Sequence, residues 1–153
     1  MAIRNIVKEG DEILTKVCRP VTVFDDRLRT LVQDMKDTLA KANGAGLAAP
    51  QVGILKRLVL VVDDNDEVLV LANPVITATE GTQTPTEGCL SVPGVWGKTV
   101  RPAKVTVEAQ DEYGNPDKYT RTGIVAVCFC HEADHLDGRL YRDHVTEYVH
   151  FDD

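Results

Sequence analysis

No stretch of this 153-residue sequence approaches the ~20 consecutive apolar residues of a membrane-crossing helix, so no association with a membrane is expected. Basic side chains are the scarcer charge: 17 Lys and Arg stand against 24 Asp and Glu, for a net charge of −7. Nucleic-acid binding relies on clustered cations that neutralise phosphates, so direct nucleic-acid binding is not expected either. Residues Met1 to Glu12 lack a long apolar core and mix both charge signs, and so read as neither a signal nor a transit peptide. Repeats, linkers and low-complexity tracts are also missing. With 43% hydrophobic and 27% charged residues, the balance is ordinary for a soluble globular protein. One domain over 1–153, long enough to bury a core, is the expectation.

The four cysteines do not form a disulfide framework. Cys128 and Cys130 are two apart on a predicted helix and project to different faces, so they do not bridge each other. If Cys89 is a metal ligand, it must be a free thiolate. A reducing compartment, the cytoplasm, is the natural setting for such a group. Cys18 is expected to pack in the N-terminal region without a functional role.

Helical spacing of Leu28, Leu31, Val32, Met35 and Leu39 predicts a helix over Asp25–Ala42, capped by Asp25 or Asp26 and ended by Asn43-Gly44. Strands are predicted at Arg57–Val62, Val68–Leu71, Lys104–Gln110 and Lys118–Arg121, with turns at Asp63–Asp66 and Tyr113–Pro116. A second helix begins near Ile124 and stops at Gly138. Helix, antiparallel sheet and buried helix together predict an α+β fold: antiparallel β-sheets packed around a C-terminal metal-binding helix, with a helix near the N-terminus.

That second helix carries His131-Glu132-Ala133-Asp134-His135, an H-E-x-x-H motif. Two imidazoles at i and i+4 share one helix face and can hold one metal ion, while Glu132 can reach a water on that ion. Two common settings of the motif do not apply. Position 141, where an extended H-E-x-x-H-x-x-G-x-x-H pattern needs its third His, is Tyr141. A ligand from a later helix is also not in view, since only Glu147 follows. Either the third ligand comes from upstream, or the site is not metallic. Cys89, in Glu87-Gly88-Cys89-Leu90-Ser91, is the best candidate. Alone it reads as a buried apolar thiol; beside two histidines lacking a third partner it reads as a ligand. A His₂Cys set accepts zinc, iron, nickel or cobalt and leaves a coordination position open. Ile124, Val127 and Cys128 lie seven, four and three residues before His131, on its face of the helix. They are candidates for an apolar side-chain pocket beside the metal, or simply for core. From composition alone, Gly44–Gln51 reads as helix termination and close packing. It is not a phosphate loop, because no Lys-Ser/Thr pair follows it.

Taken together, Gly44-Ala45-Gly46-Leu47-Ala48-Ala49-Pro50-Gln51, Glu87-Gly88-Cys89-Leu90-Ser91 and His131-Glu132-Ala133-Asp134-His135-Leu136-Asp137-Gly138 resemble, in order and spacing, the bacterial peptide deformylases. The opening Gly10-Asp11-Glu12-Ile13-Leu14 is also similar to that family's, and the likeness covers nearly the whole chain. Cys130 departs from the Gln that many members carry there, at about 100° around the helix from His131. The resemblance implies removal of the N-formyl group from methionine-initiated nascent peptides. It further implies a divalent ion, ferrous iron in the cell, on Cys89, His131 and His135, with Glu132 as general base and acid. Gln51 and the Leu90 N–H would meet the oxyanion, and Ala45, Gly46 and Gly88 would lie along the substrate backbone. Arg101 would brace Glu87. Contact with the ribosome would be transient, because the acidic tail from Thr146 to Asp153 is neither long nor basic.

Two other functions use the same residues. A metallopeptidase acting on unblocked peptides would need a longer cleft. A binding module with a purely structural ion would need a fourth ligand, which is not evident. His144 and His150 read as surface histidines, and Trp96 as either a cleft or a core residue.

Overall fold

The structure, a computed structural model, describes residues 2–150. In chain order the elements are α1 (Asp26–Ala42), β1 (Gly46–Ala48), β2 (Leu58–Val62), β3 (Val68–Glu80), β4 (Thr86–Cys89), β5 (Val92–Lys98), β6 (Lys104–Gln110), β7 (Pro116–Thr122), α2 (Gly123–Leu136) and β8 (Glu147–Val149). Short 3₁₀ turns occur at Glu12–Thr15, Ala49–Val52 and Tyr141–His144. Five strands form one antiparallel sheet in the order β1-β2-β3-β6-β7, and three form a second in the order β4-β5-β8. This is the α+β architecture expected. Among the described residues no helix is long and apolar enough to cross a membrane.

Strand β2, an inner strand of the five-stranded sheet, explains the layering. Successive side chains of β2 point to opposite faces, and both faces are apolar. Leu58 and Leu60 join Leu28, Leu31, Val32, Met35 and Leu39 of α1. Val59 and Val61 join Val125, Ala126, Phe129 and Leu136 of α2. The sheet is thus clamped between two helices, and α1 shows the predicted stripe. Asp25 Oδ1 accepts the Leu28 N–H at 3.0 Å, and Asn43 closes α1 in the left-handed region at φ 54°.

Strand β3 runs nine residues beyond the predicted Leu71. Asn73-Pro74 looks like a turn in sequence, but the structure absorbs it as an irregularity in the β3–β6 register between Ala72 and Val75. Asn73 adopts φ 51° and is held by side-chain bonds to the Val21 backbone and Gln110. Strands β1, β4, β5 and β8 were not predicted. Two have three residues each, and β4 and β5 carry Gly88, Pro93, Gly94 and Gly97, which erase the period-two pattern.

Candidate metal centre and active site

Helix α2 is apolar on most of its circumference, so it is buried, and it takes its polar residues inside with it. His131, Glu132 and His135 are 8%, 3% and 1% exposed. Strand β4 approaches the same helix face, and a shift in its pairing with β5 between Glu87 and Cys89 redirects the chain there. Cys89 Sγ lies 3.4 Å from His135 Nε2, and one donor atom from each of Cys89, His131 and His135 lies within 4.8 Å of the others. The sulfur from the middle of the chain and the two late-helix rings do meet.

His131 is oriented from behind. Its Nδ1 lies 2.9 Å from Glu87 Oε1, and because an ionised carboxylate only accepts, Nδ1–H donates, which leaves Nε2 as the lone-pair nitrogen. Arg101 grips Glu87 with Nε and Nη2 at 2.7 and 3.1 Å, and Thr99 Oγ1 donates to the same carboxylate. Burial alone would raise the Glu87 pKa. The hydrogen bonds from His131, Arg101 and Thr99 outweigh it and hold the carboxyl at about 2. Arg101 Nη1 reaches Asp134 Oδ2 at 3.0 Å, and His144 Nε2 lies 3.1 Å from the same oxygen. His144 is therefore half-buried beside this network rather than a plain surface residue, whereas His150 is exposed. Tyr141, at the position where a third histidine would have stood, is buried, stacks on the His131 ring at 5.8 Å between centroids and donates its hydroxyl to Val95 O.

The donor set fits a divalent ion with a coordination position to spare: one thiol and two imidazoles, with His131 already in the tautomer that presents Nε2. Bound imidazoles and thiolate must be unprotonated. Cys128 behaves differently, because burial, then the charges of Glu132 and Glu87, push its thiol up to about 12, so it stays neutral. Cys130 is buried in the core cluster on the α2 side of the sheet. All four cysteines are free.

Glu132 is the other unusual group. Burial, only partly offset by His131, raises its carboxyl to about 7, and Oε1 has no hydrogen-bond partner among the described residues. Gly46 gives it room: a β-carbon there would sit 2.5 Å from Glu132 Oε2. Gln51, 1% exposed, is fixed at both ends of its amide. Oε1 accepts the Ala48 N–H at 2.9 Å, while Nε2 donates to Ser91 Oγ at 3.1 Å and faces Cys89 Sγ at 3.6 Å.

A cleft of about 490 Å³ opens over these groups. Ala45, Gly46, Gln51, Gly88, Cys89, Leu90, Ile124, Val127, Cys128, His131 and Glu132 all line it, while His135 lies deeper. Ile124 is 70% exposed and stands at the rim; Val127 and Cys128 are buried and also touch core. Trp96 belongs to the cleft wall, packed so closely on Gly88 that a β-carbon there would lie 2.4 Å from its ring. Thr99 carried no signal in the sequence. Ser91 and Asp134 stood inside quoted motifs, but only the folded geometry reveals what they hold.

The sequence profile of the family described as polypeptide deformylase matches residues 3–150. The chain is 54% identical to peptide deformylase 2 of Clostridium acetobutylicum, over 97% of this chain and 99% of that protein. It is 50% identical to peptide deformylase of Acetivibrio thermocellus, over 100% of this chain and 89% of the relative. The crystal structure of a peptide deformylase from Legionella pneumophila superposes with a TM-score of 0.91 at 45% identity, covering 95% of this chain and 87% of that one. The enzyme from Thermotoga maritima gives 0.92 at 34% identity, covering 95% and 99%. The donors, the buried glutamate and the cleft accord with a similarity that runs along nearly its whole length: the chain belongs to the polypeptide deformylase family.

Proposed function

We propose that Cys89, His131 and His135 hold one divalent cation, that Glu132 transfers the proton, and that Gln51 and the Leu90 N–H receive the developing negative oxygen. The chain is a peptide deformylase, removing the N-formyl group from nascent polypeptides, the metal-dependent reaction of its family. The observation that carries the role of Glu132 is its enclosed carboxyl, raised to about 7, beside the donors and against Gly46. A group titrating near neutrality both accepts a proton and returns it to a leaving amine. When bound, the cation acidifies water and polarises the carbonyl under attack.

Gln51 suits the oxyanion role because its carbonyl end is already engaged by Ala48, which turns the NH₂ end toward Cys89 and Ser91. An amide that cannot rotate is a preorganised donor. Strand β1 lies at the edge of its sheet and the Ala45 carbonyl is engaged by the Val62 N–H, so the Gly46 backbone is the part offered to an extended peptide, with Ala45 beside it and Gly88 also lining the cleft. Ile124, Val127 and Cys128 offer an apolar wall for an unbranched methionine side chain. If so, Val127→Trp raises KM for formyl-methionyl peptides by roughly tenfold while the fold is kept, and an unchanged KM removes Val127 from the pocket.

Ferrous iron is the proposed ion in the cell, and zinc, nickel or cobalt also suit the donors. A thiolate ligand lining the cleft is open to oxidative loss, which favours the reducing cytoplasm. The proposed unit is one domain of residues 1–153, with formyl-methionyl nascent peptides as partners, transient contact with the ribosome, and neither nucleic acid nor membrane. The deciding assay compares formyl-Met-Ala-Ser with unblocked Met-Ala-Ser, using protein loaded with metal without oxygen. Release of formate from the first and no cleavage of the second is the expected result. Cleavage of the second would instead make the chain a metallopeptidase.

A further inference from the structure

We propose that the extended N-terminal segment aligns Gln51 with the Leu90–Ser91 chain, and that the backbone N–H groups of Val7 and Glu9 are the positioning groups. The Val7 N–H donates to the Gln51 carbonyl at 2.7 Å, and the Glu9 N–H donates to the Ser91 carbonyl at 2.8 Å. In an extended chain, residues two apart present their N–H groups on the same side, so one short stretch spans both partners. Those partners are 40 positions apart in sequence and are joined on the cleft side by the Gln51 Nε2 bond to Ser91 Oγ. The strap adds a second link between them, at the level of the backbone.

The strap is itself anchored to both helices. The Ala2 N–H and the Arg4 guanidinium bind Asp34 at 2.9 to 3.1 Å, and the Arg4 N–H donates to Thr38 Oγ1 at 2.9 Å, all on α1. Glu9 pairs with Arg142 at 2.5 Å. Beyond it, the Cys18 N–H donates to the Leu136 carbonyl at the end of α2 at 2.9 Å. A β-carbon on Gly138 would lie 2.4 Å from Thr15 O, so this crossing has no slack. Val7 and Glu9 act through Gln51 and Ser91, so the proposal rests on the role given above to Gln51.

Cys18 supplies a natural junction for ligating a synthetic segment of residues 1–17 to the rest of the chain. Replacing the Val7 amide by an ester deletes its N–H and leaves the side chain in place. The metal-loaded protein should lose roughly tenfold in kcat, a share of the ~100-fold that a lost oxyanion donor costs, with KM and metal content retained. An ester at Lys8, whose N–H takes part in neither bond, serves as the control. In a Gln51→Ala background the Val7 ester should change kcat by less than about twofold, because the two groups act as one unit. An unchanged kcat for the Val7 ester overturns the proposal, and so does an equal loss in the Gln51→Ala background, which would mean general loosening. Full activity of Gln51→Ala without any ester removes the underlying oxyanion role, a distinct result. If the ligated protein does not refold, Val7→Pro compared with Lys8→Pro in the whole chain makes the same comparison.

Discussion

Glu132→Gln is expected to give a folded, metal-loaded protein whose turnover of formyl-Met-Ala-Ser is lower by roughly 10²–10⁴-fold, the usual worth of a positioned acid–base group. The substitution preserves volume and relieves the burial of a charge, so the melting temperature should hold or rise. The carboxyl is 3% exposed, and its pKa is lifted mainly by that burial to about 7. An amide in its place neither accepts the proton nor gives it back. Metal content, melting and kcat measured on one sample separate the roles: loss of turnover with metal retained assigns the proton to Glu132. Turnover within about tenfold of the parent would leave the group a bystander and the site without its base.

Arg101→Met should produce the largest change in stability. Arg101 and Glu87 are buried, with side chains 6% and 3% exposed, and the guanidinium makes two bonds to Glu87 and one to Asp134. Removing one partner strands the other, which typically costs about 3–5 kcal/mol. Glu87→Gln combined with Arg101→Met should recover a good part of that loss in denaturant melts, because no isolated charge is left behind. The sign of the pH dependence follows from Glu87. Its folded pKa, about 2, lies below the ordinary 4.5, so its contribution is complete above about pH 4.5 and disappears as pH falls towards 2. A stability curve flat across that window in the parent would contradict the ionised pairing.

Those two residues also mark how far the sequence could be read. The proposed donors and Glu132 were legible because their chemistry requires particular residue types at short spacings: an i, i+4 histidine pair on one helix, and a cysteine in a compact motif; Gln51 was singled out only by the family resemblance. Helix α1 was legible because a single buried stripe has a period. Strands β4 and β5 were not, since glycine and proline remove the alternation that identifies a strand. Arg101 and Glu87 were joined only by resemblance, because a contact between residues 14 apart, one on β4 and the other in the link between β5 and β6, leaves no local trace. Thr99, Ser91, Tyr141 and His144 lay beyond reach for the same reason: each is defined by what it touches across the fold. The last three residues of the acidic tail, Phe151 to Asp153, lie outside the described residues.

The two apolar layers on either side of β2 contain none of the three donors. Cohesion of the scaffold and occupancy of the centre are therefore separate matters, unlike small zinc modules that are random coils until their ion arrives. A chelator is therefore expected to strip the proposed ion, and a different ion to replace it, without the chain unravelling, so that supply and exposure to oxidants rather than folding would decide which ion is held.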